Sequence, residues 1–281
     1  DILVYFIIGS MIFVIVAMQI FTAIRRNSYK STNCSNLDDQ WNEFGKVSSI
    51  DPDGADYKDF SLRDYYIKTA YNCCALGDFK NTYVSTCQLE NVIKQGVRCL
   101  DFEVYSVNNE PVIAVSSESS FKIKEAYNSL KFNKVLSTIS EKAFSGGSCP
   151  NPADPLILHF RIKSNNQPIC NIMADQFKDI LQPTGRLLGR DYSYENYGTN
   201  LGKVKINELM GKIIIIIDKT NTIFEGTELE EWINIASNSV FMRALRNQDV
   251  EFAPNPKELI NFNKKHMSLT MPDLKVEDSN V

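Results

Sequence analysis

The first apolar stretch differs from everything later in the chain. Between Asp1 and Arg25 no residue is charged, and only Gly9, Ser10, Gln19 and Thr22 interrupt the run from Ile2 to Ile24. These 23 residues, rising about 1.5 Å each as a helix, cross a hydrocarbon layer of roughly 30 Å. A buried core helix would show a polar face, and this segment has none. The pattern predicts a transmembrane helix, with Ile2, Phe6, Phe13, Phe21 and Ile24 anchoring it in the bilayer and Arg25 and Arg26 at its end. The competing reading is a cleaved signal peptide. Its apolar core is usually about 7–15 residues, followed by small residues, and Arg25-Arg26 stand where those would be. Arg25, Arg26 and Lys30 follow the span and only Asp1 precedes it, so flanking charge puts the C-terminal part on the cytosolic side.

Residues 27–60 are polar and turn-rich, with Asp51-Pro52-Asp53-Gly54 the clearest turn, and read as a juxtamembrane spacer. Periodic patterns begin after it. Tyr65-Tyr66-Ile67 begins a strand, and Thr86 caps a helix through Lys94 that Gly96 ends. Val97 to Tyr105 and Pro111 to Val115 predict strands. Lys122 to Ala143 has helical spacing, with Ala126, Leu130, Val135, Leu136 and Ile139 on its apolar side. Pro155 to Phe160 predicts a strand and Cys170 to Leu181 a helix. Five consecutive isoleucines, Ile213 to Ile217, suit a strand buried on both faces. Ser239 to Met242, a helix near Lys257 to Lys265, and Met267 to Thr270 complete the series. Strands alternating with helices over about 220 residues fit an α/β fold, a TIM-like (β/α)8 barrel rather than an open sheet. The organisation is then an anchor over 1–26, a spacer over 27–60 and a folded domain over 61–281.

Composition narrows the chemistry. Thirty Lys and Arg against 34 Asp and Glu leave a net charge of −4, which disfavours nucleic acid as a partner. No C-x-x-C pair exists among the seven cysteines, and His159 and His266 are far apart, so no zinc-type spacing is present. The odd cysteine count reads as mostly reduced thiols. No Gly-rich phosphate loop appears.

Several segments resemble the X region of phosphatidylinositol-specific phospholipase C. Tyr66 to Asp78 looks like that family's YFISSSHNTYLTGD. Leu89 to Tyr105 is similar to ALRQGCRCVELDCW, and Asn109 to Ile113 to the GEPVI that precedes its second histidine. Phe121-Lys122-Ile123, Pro155 to Leu158 and Leu209 to Ile213 resemble TSKI, PVIL and LKGKIL, and Met267 to Asn280 is similar to a later LSRVYPKGLRVDSSN. The order is kept throughout. The resemblance implies a TIM-like barrel, a phosphoinositide substrate, two histidines that move protons, and a calcium ion held by oxygen ligands.

The chain departs from that pattern where the chemistry is done. Tyr71 stands where the first histidine belongs and Val115 where the second does. Arg161 replaces a carboxylate ligand. Asn72, Asp101 and Glu103 remain, the last two with their lengths exchanged. Two phosphate-facing lysines align with Ile216 and Asp218. A tyrosine, with a pKa near 10, is a poor proton carrier at neutral pH, and valine carries no transferable proton. A guanidinium among the ligands opposes a cation. The sequence therefore predicts a pseudoenzyme with no catalytic residues and no metal, in which Asn72, Asp101 and Glu103 are vestigial and Arg161 pairs with the acids. A weak cation site at those residues is the competing reading.

His159 shares a strand face with Arg161 and reads as a structural histidine, with a relocated catalytic base as the alternative. His266, Trp41 and Trp232 read as surface or packing residues. The family's closing segment would follow Val281, so either further residues or another chain completes the barrel. Three functions compete. The first is a membrane-anchored, inactive structural or adaptor protein bound to the bilayer through 2–24 and to other proteins. Asn-, Ile- and Lys-rich composition together with the anchor looks like versions encoded by large DNA viruses, which would place it in a virion inner membrane, linked to the capsid. The second is a divergent phosphodiesterase, with calcium as cofactor. The third is a phosphoinositide-binding module that does not cleave.

Overall fold

The computed structural model describes residues 2–41, 47, 49–50, 60–77, 81–118, 120–124, 126–193 and 200–273. The Asp51-Pro52-Asp53-Gly54 turn, Asp78 and residues 274–281 lie outside the described residues. The chain divides into two compact units, Asp1–Glu43 and Phe44–Val281.

In the first unit, α1 runs from Ile2 to Trp41, so the polar residues after Arg26, expected as turn-rich spacer, stay helical for several turns. Among the described residues it is the one helix long and apolar enough to cross a membrane. Its two hydroxyls bond back to the helix itself: Ser10 Oγ donates to Ile7 O at 2.8 Å and Thr22 Oγ1 to Met18 O at 2.7 Å.

The second unit is built on a mostly parallel sheet. Strands β1 (Thr69–Ala70), β2 (Cys99–Val107), β5 (Leu156–Lys163), β6 (Ile213–Asp218) and β7 (Ile235–Ser237) pair in parallel. A hairpin adds β3 (Glu110–Ala114), and β4 (Leu130–Lys131) pairs with it. A separate parallel pair, β8 (Met242–Arg246) and β9 (Met267–Met271), follows. Alternate residues point to two sides. Leu158 and Phe160, Phe102 and Val104, and Ile213, Ile215 and Ile217 enter a core under α2 (Thr86–Lys94), α3 (Phe132–Lys142) and α4 (Pro168–Gln176). Phe160 lies 5.4 Å from Phe102 and from Phe132, and 5.7 Å from Phe177, as ring centroids. The other parity, Cys99, Ile157, Ile214, Ile216 and Ile235, joins Met242, Met267, Leu269 and Met271 in a second core. Both strand groups thus wall one barrel-like interior, and the isoleucine strand is buried on both faces as its composition predicts.

Four expectations shift. The first strand starts at Thr69, not at Tyr65: pairing with β2 begins only at Lys68, whose O accepts from the N–H groups of Arg98 and Cys99. Ser85, not Thr86, caps α2, its Oγ accepting from Cys87 N at 3.2 Å. The helix expected over 122–143 is only Phe132–Lys142. The segment before it is held by distant backbone instead: Tyr127 N donates to Thr82 O, and the Asn128 amide clasps Val84 N and O, at 2.9 Å each. These bonds outweigh a helical spacing of apolar residues. Ser239 to Phe241 form a turn after Asn238, whose φ is +57°, and the strand starts at Met242.

Cys73, Cys74, Cys99, Cys149 and Cys170 are free and buried.

Candidate functional site

The inward parity of β2 and β5 carries charge where β6 carries isoleucine. Cys99, Asp101, Glu103 and Tyr105 alternate along β2, and Ile157, His159 and Arg161 along β5. The ladder register sets Asp101 opposite His159 and Glu103 opposite Arg161. All four side chains are buried, Asp101 fully and Arg161 2% exposed. Strand pairing therefore brings the ions together before any side-chain choice is made.

Arg161 is the hub. Its Nε donates to Asp101 Oδ1 at 3.0 Å, Nη2 to Asp101 Oδ2 and to Asn72 Oδ1 at 2.7 Å each, and Nη1 to Glu103 Oε1 at 2.6 Å. Its guanidinium carbon lies 4.4 Å from the Tyr71 ring centroid. Asn72 reaches the cluster because it sits at φ +46°, a conformation asparagine tolerates. Its own N–H donates to Asp101 Oδ2 at 3.0 Å. Tyr105 Oη donates to Glu103 Oε2 at 2.7 Å, so both acids are fully engaged.

These contacts set the ionisation. Burial alone would raise the Asp101 carboxyl, but the Arg161 charge and the His159 hydrogen bond hold it well below the usual carboxylate range. Burial likewise opposes the Arg161 cation, and Asp101 and Glu103 reverse that and push it up. Tyr71 and Tyr105 are raised, chiefly by burial. Neither phenol is a proton carrier near neutrality.

The resemblance implies calcium here, and the residues present do not fit it. Asn72, Asp101 and Glu103 supply oxygens, but each already accepts from the Arg161 guanidinium, which fills the space among them. A divalent ion would meet that charge at contact range.

A second chain of contacts leaves Asp101. His159 Nδ1 lies 2.7 Å from Asp101 Oδ1, and His159 Nε2 lies 2.9 Å from Ser237 Oγ at the end of β7. This is the order of an acid–base–nucleophile relay. Two features work against that use. Asp101 already shares its charge with Arg161, and His159 and Ser237 are 1% and 0% exposed, so no substrate reaches the hydroxyl. Sequence reading missed Ser237, which ends a three-residue strand with no periodic signal. It also missed Tyr105, although strand parity from Asp101 and Glu103 points to it.

The remaining predicted positions are accounted for. Tyr71 Oη meets Arg246 Nη1 at 3.1 Å, and Arg246 Nη1 also reaches Pro272 O at 2.7 Å. Val115 is 1% exposed in the outer core, and Ile216 packs in the inner one. Asp218 accepts from Thr220 N, Thr220 Oγ1 and Asn238 Nδ2, a local turn arrangement. His266 packs 4.7 Å from the Phe262 ring. Trp232 is buried. Ile2, Phe6, Phe13, Phe21, Ile24, Arg25 and Arg26 are exposed on α1.

Residues 59–219 match the family described as phosphatidylinositol-specific phospholipase C, X domain. Among solved structures the chain is similar to PLC21 of S. officinalis, with a TM-score of 0.59 at 19% identity, covering 76% of this chain and 30% of that one. PLC21 of L. pealei is similar with a TM-score of 0.58 at 19% identity, covering 76% and 31%. The chain thus spans about a third of the length of these proteins. The likeness shows a shared TIM-barrel fold. No curated protein matches the sequence.

Proposed function

The chain belongs to the phosphatidylinositol-specific phospholipase C X-domain family, and within it we propose a membrane-anchored member that does not cleave phosphoinositides and acts as a structural or adaptor protein. The observation that carries this reading is Arg161, whose guanidinium lies among Asn72, Asp101 and Glu103. Tyr71 and Val115, at the two aligned histidine positions, supply no titratable group suited to neutral pH. The apolar helix from Ile2 supplies the bilayer attachment. By compositional analogy, the adaptor role is that of a protein joining a viral inner membrane to a capsid layer.

The test is hydrolysis of phosphatidylinositol in vesicles by the full chain, with and without calcium, beside an active family member. No turnover above buffer is expected. Calcium-dependent turnover that disappears in Asp101→Asn would overturn the reading. The divergent-enzyme alternative has one observation in its favour, the Asp101–His159–Ser237 relay, and the same assay on Ser237→Ala addresses it. The non-cleaving binding module loses ground with Ile216 and Asp218 at the aligned lysine positions, and flotation with phosphoinositide vesicles tests it.

Flanking charge supports a cytosolic C-terminal domain, and the free, buried thiols of Cys73, Cys74, Cys99, Cys149 and Cys170 are in keeping with a reducing side. Protease protection in sealed membranes tests the placement: digestion from the cytosolic face supports it, and protection there overturns it.

A further inference from the structure

Of the polar side chains inside the apolar span, Ser10 and Thr22 are satisfied by their own helix, at Ile7 O and Met18 O. Gln19 is different. Its amide carries two donors and an acceptor, and it makes no hydrogen bond with any described residue. Gln19 lies six residues from Arg25, about 9 Å along the helix axis, which is inside the hydrocarbon layer once the helix spans it. An amide there gains by finding a partner on another helix.

The residues around it define a face. Ile8, Ile12, Ile15, Gln19 and Thr22 recur at alternating steps of four and three, the spacing of a helix–helix seam. All five are exposed on α1. An amide is self-complementary, since the donor of one copy meets the acceptor of another. Copies of the same chain also insert with one orientation, so each brings Gln19 to the same depth. A second copy of this chain therefore presents the matching group in register, which a helix of unrelated sequence does only by coincidence.

We propose that the chain self-associates in the bilayer as a parallel homo-oligomer through the Ile8–Ile12–Ile15–Gln19–Thr22 face, with the Gln19 amides bonded to one another. The inference rests on the transmembrane reading of α1 and adds a partner to it.

The test uses the full chain, fluorescently labelled, in phosphatidylcholine vesicles at several protein-to-lipid ratios, with association read by energy transfer. Alkaline carbonate extraction of the same vesicles reports insertion. Wild type is expected to associate, Gln19→Leu to associate about tenfold more weakly, and Gln19→Asn to recover part of the loss. Moving the amide to another face by exchange, Val14→Gln with Gln19→Val, is expected to remain weak at unchanged composition. A wild-type chain that inserts but stays monomeric overturns the proposal and leaves the face to another membrane protein. A Gln19→Leu chain that associates as tightly as wild type also overturns it. A chain that fails to insert sinks the anchor reading instead.

Discussion

Glu103 and Arg161 face each other across the parallel ladder of β2 and β5, and their side chains meet at 2.6 Å inside the barrel. The pair is desolvated on all sides, so its stability depends on every partner being present. Removing Arg161 leaves two buried carboxylates without their guanidinium partner. Arg161→Met is expected to destabilise the domain by about 3–5 kcal/mol, read from denaturant unfolding of the full chain in mild detergent. A loss below about 1 kcal/mol would mean that water already reaches the acids.

Calcium gives a separate check. Millimolar calcium is expected to leave the melting temperature of the wild-type chain unchanged. Arg161→Glu turns the same positions into an oxygen-only set and is expected to gain calcium-dependent stabilisation, about 2.7 kcal/mol at one hundred times its dissociation constant. Calcium stabilising wild type as strongly as the variant would show that Arg161 leaves the site when metal is offered.

Acid sensitivity follows from Asp101. Its folded-state pKa lies below the unfolded value, so the folded state binds fewer protons in that window. The stabilisation is fully present above the unfolded value, about 3.9, and is lost as pH falls below it toward the folded value. Thermal melts between pH 6 and pH 2 are expected to steepen below about pH 4. Asp101→Asn should be less stable at neutrality and lose less on acidification. Parallel curves for the two chains would assign the acid limb to other groups.

Ser237 is expected to behave as a hydrogen-bonding residue. Ser237→Ala should cost about 1 kcal/mol through the lost partner of His159 Nε2, and a fluorophosphonate probe should fail to label the folded wild-type chain. Stoichiometric labelling that vanishes in the variant would show that the relay is open to substrate.

An aromatic cluster fills the core between the sheet and its helices. Phe160 touches Phe102, Phe132 and Phe177 and is fully buried. Phe160→Ala is expected to cost about 3–5 kcal/mol, measured by the same unfolding assay.

How much of this the sequence disclosed depended on where the deciding interaction lay. Ile213 to Ile217 announced a doubly buried strand because burial there follows from composition. The pairing of Arg161 with Asp101 and Glu103 was legible too, since side-chain alternation and the family alignment set them on inward faces. The stretch from Lys122 to Lys131 misled, because Ala126 and Leu130 fall at helical spacing while Thr82 and Val84, about 45 residues earlier, hold the backbone. Ser237 and Arg246 were invisible for the same reason. They gain their roles from strands distant in sequence, with no local pattern to mark them.

The Arg161 cluster also constrains where this lineage can go. Exchanging Arg161 for a carboxylate creates a third buried acid with no cation, stable only where free calcium is already abundant. Exchanging Asp101 or Glu103 first strands the arginine. Each of these single exchanges costs stability, so the three residues change most easily in concert. A barrel selected for stability alone is therefore held at the present pairing of Arg161 with its two acids.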